Sequence, residues 1–356
     1  MNWKRVLVSA CLAGAACQAS APISVYGAWL CSNDGCSWAN VRNMTDFDQK
    51  NNWLINRGDA SPSVNVVVLS FVNPLKLLNQ TTDAGNLNGV PRGMTADIVN
   101  YFTSKQVRVM LSIGGITYVN DWNSALASDP ARLGRNAAAL ALQLGVGIEI
   151  DYEENASPNL AGLQAFIDAY RGYGTGTQYD KTGSSPAARF TIDLAAGDRW
   201  LIGLTRKATA DWLGTTNPVL DYANAMVPAK QPTGAADAQS NWQEHIDGKR
   251  QYSPPIPPLA PAKLTGSLYL VSRRKVTPEC RTFIGSLEDA TGNYVQSVLP
   301  KVASSATAGM LGYMFWAAEC QGAGACTVPP NDCKGGVGVG AKTYSIPLPM
   351  PPLREY

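Results

Sequence analysis

The stretch Val146-Gly147-Ile148-Glu149-Ile150-Asp151-Tyr152-Glu153 decides the fold and carries the first sign of chemistry. Every second residue from Glu149 is a carboxylate, and Ile148, Ile150 and Tyr152 alternate with these acids. Side chains on a strand point to opposite faces in turn, so the acids share one face and the hydrophobes the other. Neighbouring acids on that face start only about 7 Å apart at Cα. Such a file repels itself, and burying even one unpaired charge is costly. A solvated edge strand would explain the pattern without function. The surrounding strands oppose that reading, because they have the continuous apolar character of a buried parallel sheet.

Working outward, strands are predicted before it over residues 23–30, 64–71 and 107–113, the last ending in Gly114-Gly115. Others follow over 190–196, 222–227, 267–271 and 310–316. Helical spacing falls between them, over 46–57, 95–105, 130–144, 157–170, 208–213, 235–247 and 292–302. Asp129-Pro130 opens the third of these helices, and Ser157 is the expected cap of the fourth. Eight strands alternating with helices over about 300 residues imply a single-domain α/β fold, a closed (β/α)8 TIM barrel. An open doubly wound sheet would need a GxGxxG or GxxxxGK[ST] loop after a strand, and none is present.

Composition narrows the function. The chain of 356 residues is 45% hydrophobic, with a net charge of +2, which gives no electrostatic footing for nucleic acid. Residues 1–21 read as a secretory signal: basic Lys4 and Arg5, an apolar core, then small residues at Ala16, Ala19 and Ala21. A lipid anchor at Cys11 or Cys17 is the lesser alternative. No later segment is long and apolar enough to span a membrane. An exported chain would keep Cys31, Cys36, Cys280, Cys320, Cys326 and Cys333, an even set expected to form disulfides that staple loops. Cys31 with Cys36 is the nearest pair; the other pairings stay open. A single histidine, His245, excludes a multi-histidine metal site. It lies in a polar stretch and is expected at the surface. The barrel is expected over residues 22–326, with a Gly- and Pro-rich tail over 327–356 packed on it.

The order of strand-end motifs resembles glycoside hydrolase family 18, the chitinases and chitinase-like endo-β-N-acetylglucosaminidases. The resemblance spans residues 25–319. Ser112-Ile113-Gly114-Gly115 is similar to the family's SxGG, and residues 146–153 to its DxxDxDxE. Residues 221–226 resemble the run into its MxYD, and Gly312-Tyr313-Met314-Phe315-Trp316 its last strand ending in tryptophan. Carried over residue by residue, the resemblance implies that Glu153 is the general acid and that Asp151 orients the substrate's acetamido group. Glu149 stands where the family has Asp or Asn, Val146 where it has Asp, and Pro228 and Ala229 where it has Tyr-Asp.

Trp316 matches the aromatic floor under the sugar. Met226, Tyr118, Tyr26 and Gly115 are further candidates for substrate contact, and Tyr118 or Tyr313 could supply the missing hydroxyl. Trp38, Trp122, Trp200 and Trp242, on predicted loops or helix starts, are candidates to wall a sugar-stacking cleft. The expected protein is a secreted, monomeric, retaining chitinase that needs no cofactor or metal. An endo-β-N-acetylglucosaminidase acting on N-glycans and a non-catalytic carbohydrate-binding relative are the alternatives.

Overall fold

A computed structural model describes residues 23–31, 43–195, 200–214, 216–226, 235–269, 310–316 and 346–353. In chain order its elements are β1 (Val25–Cys31), α1 (Met44–Ile55), β2 (Val66–Val72), α2 (Pro74–Asn79), a small hairpin of β3 (Asn86–Leu87) and β4 (Val90–Pro91), and α3 (Ala96–Thr103). Then come β5 (Arg108–Gly114), α4 (Val119–Ser128), α5 (Pro130–Leu144), β6 (Gly147–Asp151), α6 (Leu160–Arg171), β7 (Phe190–Ala195) and α7 (Ile202–Lys207). The series ends with β8 (Ala223–Met226), α8 (Ala235–Asp247), β9 (Leu264–Tyr269) and β10 (Gly312–Trp316). Eight of these strands close into a parallel barrel in the order β1-β10-β9-β8-β7-β6-β5-β2. The fold is the expected (β/α)8 TIM barrel.

Strand alternation sorts the side chains into two layers. Outward residues such as Leu69, Leu111, Ile148, Ile150, Ile192 and Leu194 are buried against the helices. Inward residues Val25, Trp29, Val66, Val68, Met110, Tyr222 and Met314 fill the barrel, joined by Met350 and Leu353 from the tail. Complete burial of each aliphatic side chain stabilises the fold by about 1.5–3 kcal/mol.

Helix α5 forms as its sequence dictates. Asp129 caps it by accepting the Arg132 N–H at 2.9 Å, Pro130 opens it, and Gly145 ends it at φ 67°. Helix α6 starts later than predicted. The Glu154 carboxylate accepts the N–H groups of Ala156 and Ser157 and holds both in a turn, so Asn159 becomes the cap instead of Ser157. Strand β9 begins three residues before the predicted start at 267. Its inward positions, Thr265 and Ser267, are polar and buried, which hides the strand in an apolar search.

Three expectations about single residues are corrected. His245 is 2% exposed, one of the polar residues buried under α8, because it faces the barrel wall with Trp242 and Ile246. Trp122 and Trp242 are core residues, not cleft walls: Trp122 packs on Tyr152 and Phe166, and Trp242 on Tyr313. Trp200 is half-buried against the outer core. Trp38, Pro228, Ala229, the helix expected over 292–302 and the side chains of all six export-stage cysteines lie outside the described residues.

Candidate active site

The site is built where β5 and β6 end together. Trp122, from α4, donates its indole N–H to the carbonyls of Ile113 at 3.2 Å and Asp151 at 3.0 Å. The Gly115 N–H donates to the same Asp151 carbonyl at 2.9 Å. This close approach requires glycine at 114: φ is 121°, and a Cβ there would lie 1.9 Å from the Asp151 carbonyl oxygen. The turn that follows brings the Ile116 N–H to the Glu153 carboxyl. The sequence feature Gly114-Gly115 therefore acts on the acid row through the backbone.

Glu149, Asp151 and Glu153 do share one face, and it is the inward face at the C-terminal mouth. Glu149 is fully buried, with the Trp29 indole donating to Oε1 at 2.8 Å and the Asn224 amide to Oε2 at 2.6 Å. Ser112, its register partner on β5, stands beside this carboxyl, and Asp193, from β7, hydrogen-bonds it. Burial pushes the Glu149 carboxyl up, and these donors pull it part of the way back. Asp151 is 4% exposed and its Oδ1 has no hydrogen-bond partner. Burial, then the negative charges of Glu153 and Glu149, hold it well above the usual carboxylate range. Glu153 is half-buried, and burial pushes it up to about 7 against the pull of the Ile116 N–H. No cation pairs with any of the three among the described residues.

An aromatic wall stands beside the acids. Trp316, at the end of β10, lies 6.3 Å from Trp29 and 5.9 Å from Phe71, centroid to centroid. The Phe71 ring in turn rests on Gly115, where an added Cβ would come within 3.0 Å of it. Tyr118 is half-buried at the end of the turn that starts at Ile116. Met226 ends β8 in register with Ala195 and is half-buried. Tyr26 is not brought to this group. Its ring faces the helices, fully buried against Phe315 at 4.9 Å. Tyr313 faces the same way, against Trp242, so neither can offer a hydroxyl to the mouth.

Sequence reasoning missed two members of the site. Asp193, 2% exposed, stands on the inward face of β7 in register with Asn224 of β8. Asn224, 1% exposed, is itself oriented by Thr265, whose hydroxyl donates to Oδ1 at 2.6 Å and leaves the amide N–H groups facing the carboxyls. The signal was present: Phe190, Ile192 and Leu194 alternate with Thr191 and Asp193 as the hydrophobes of β6 alternate with its acids. Four carboxyls, an aromatic wall and no cation among the described residues make a site suited to holding and passing protons, with a surface to stack a ring. No group of His, Cys, Asp and Glu among the described residues is arranged to hold a metal ion.

Fold and site together define a TIM barrel with a carboxylate centre at its C-terminal mouth. The barrel is shared with glycoside hydrolase family 18 chitinases of known structure. A GH18 chitinase from Pseudoalteromonas aurantia is 16% identical, with a TM-score of 0.51 over 82% of this chain and 93% of its own. A plant class V chitinase mutant from Cycas revoluta, in complex with (GlcNAc)3, is 14% identical, with a TM-score of 0.50 over 90% of this chain and 99% of its own. At these identities the likeness establishes the fold. No protein-family profile matches the chain, and no curated protein matches it in sequence. No described helix is long and apolar enough to cross a membrane.

Proposed function

We propose that this chain is a divergent member of glycoside hydrolase family 18, an exported chitinase that cleaves β-1,4-linked N-acetylglucosamine with retention of configuration. The observation that carries the reading is the state of Glu153: a half-buried carboxyl at the barrel mouth, pushed up to about 7, beside the buried and unpaired Asp151. Glycoside cleavage needs a carboxyl that is protonated near neutral pH and can donate to the departing oxygen. Glu153 is that acid. The substrate's 2-acetamido oxygen attacks the anomeric carbon, the route of this family, so no second protein carboxylate acts as nucleophile. Asp151 holds the acetamido group. Glu153, now ionised, draws a proton from water as the cyclic intermediate opens. Trp316 is the platform beneath the sugar. The (GlcNAc)3 bound by the Cycas chitinase supports the substrate class. Residues 1–21 direct export.

The test is incubation of the protein, and of Glu153→Gln, with chitin oligomers and with a high-mannose glycoprotein. Cleavage of the oligomers to β-anomers by the wild type alone is expected. Cleavage of the glycoprotein instead moves the substrate to N-glycans, an α-anomer contradicts retention, and no cleavage of either overturns the enzyme reading.

A further inference from the structure

The carboxylate row has a fourth member that its strand does not supply. Ile150 of β6 pairs with Ile192 of β7, so the next residues, Asp151 and Asp193, stand level on adjacent strands. Adjacent strands lie only about 4.8 Å apart. Asp193 hydrogen-bonds the Glu149 carboxyl, receives the Asn224 amide, and leaves Oδ1 without a partner. The titratable groups that act on it are Glu149 and Asp151 on β6; Tyr222, two residues before Asn224, lies on the same inward layer and feels Glu149. On its own strand, Arg189 lies four residues back, at the other end of the barrel. No cation is paired with the cluster among the described residues. Two carboxyl groups can hydrogen-bond each other only if one of them carries a proton.

We propose that Asp193 is that protonated partner, a positioning residue that donates to Glu149 and so fixes which members of the row are charged. Its neutral acid stabilises Glu149 as an anion, together with the indole of Trp29 and the amide of Asn224. An anionic Glu149 in turn favours a proton on Asp151. A neutral Asp151 then allows Glu153 to become an anion when its proton leaves, because no like charge stands beside it. Asp193 keeps its own proton throughout, and no bond to substrate forms there. The kinetic part of this inference rests on the glycosidase reading; the protonation state of Asp193 does not.

Two variants and two readouts test it. Asp193→Leu removes the donor, while Asp193→Asn keeps a neutral N–H donor that cannot ionise. Loss of one buried hydrogen bond to a charged group predicts a fall in kcat of about 10- to 100-fold in the Leu form. KM on a chitin oligomer should stay nearly constant, and the Asn form should recover most of the loss, with the alkaline limb of its pH profile unmoved. An Asn form as slow as Leu overturns the proposal. So does an alkaline limb displaced to lower pH in the Asn form, which would mean that a negative charge had been removed. Independently of any substrate, infrared spectra at pH 7 should contain the carbonyl stretch of a protonated carboxyl in the wild type. Asp151 and Glu153 contribute to that band as well, so the wild-type-minus-Asp193→Asn difference spectrum should retain the stretch of one further protonated carboxyl, and a difference spectrum without it overturns the proposal even if no sugar is ever cleaved. Melting curves for each variant establish that the protein compared is folded; should Leu fail to fold, the Asn and infrared arms decide alone.

Discussion

At its N-terminal end the barrel buries Arg189, Asp221 and Lys263 and half-buries Arg108, each at or within two residues of the start of a strand; at its C-terminal end it buries Glu149, Asp151 and Asp193 and half-buries Glu153. The lower group is knitted together. Arg171 and Arg189 flank the Asp221 carboxylate at 3.5 and 3.7 Å, and Asp221 also accepts the Phe190 N–H at 2.6 Å. Backbone carbonyls take up further donors: Arg171 reaches Val219, Thr177 and Ala188, Arg189 reaches Thr182, and Arg108 reaches Gly183. Lys263 meets the Tyr179 hydroxyl at 3.2 Å. The upper group has four acids and no basic partner among the described residues. One barrel thus buries charge in two ways, and only the unpaired way leaves protons free to move. Burial beside compensating charge is structural; burial without it is what a proton-transfer site requires.

The sharpest way to break the contrast is to remove one acid from each end. Glu153→Gln at the mouth should lower kcat on chitin oligomers by about 10²- to 10⁴-fold, with the melting temperature held or raised above pH 7. Asp221→Ala at the floor should do the reverse. It leaves Arg171 and Arg189 buried without their carboxylate, a loss of about 3–5 kcal/mol, read by chemical denaturation, while the pH profile of any remaining activity keeps its shape.

Gly114→Ala tests the link between backbone and acids. Its Cβ would strike the Asp151 carbonyl, so kcat should fall by about tenfold or more, along with a lower melting temperature.

The two ends should also differ in the sign of their pH dependence. Carboxyls raised above their ordinary values, such as Glu153 at about 7, add stability that is complete below the unfolded value near 4.5 and lost as pH rises through 7. Asp180, beside Arg108, behaves in the opposite way. Burial raises it, but the hydroxyls and N–H groups of Ser184 and Thr182 outweigh burial and hold it well below the usual range. Its contribution is present above the unfolded value near 3.8 and lost as pH falls. Melting temperatures from pH 5 to 8 should therefore decline for the wild type and decline less for Glu153→Gln. A flat wild-type curve that matches the variant would contradict the assignment. The alkaline limb of kcat should fall near pH 7 for the same reason.

The smallest effect belongs to His245. Burial holds its imidazole down to about 4, against the Ala195 carbonyl that favours its charged form. Stability from the neutral ring is complete above the unfolded value of 6.5 and lost as pH falls toward 4. His245→Gln should flatten the melting curve over that interval and leave activity nearly unchanged.

Much of this was legible in one dimension. A period of two on residues 146–153 gave the strand, its acids and their common face, and the start of α5 was written at Asp129-Pro130. The misses share a cause. Asp193 and Asn224 carry one polar group each on short strands, so neither makes a pattern alone; they matter only because β7 and β8 lie next to β6 in the closed barrel. His245 lies in a polar stretch, and Trp122 and Trp242 fall on predicted loops or helix starts, so none of the three announces a core position, yet each points inward from a helix.

The sequence by itself determined the alternation of strands and helices, and with it the barrel and the acid face of β6. It also determined the glycines that let β5 approach β6, since only a residue without Cβ fits there. Only the tertiary structure decided which way each face points, which tyrosines lie on the helix side, and that the acids meet Asp193 and Asn224 but no cation among the described residues. Those relations join strands about 40 to 75 residues apart, and the free energy of a buried charge depends on what surrounds it in space.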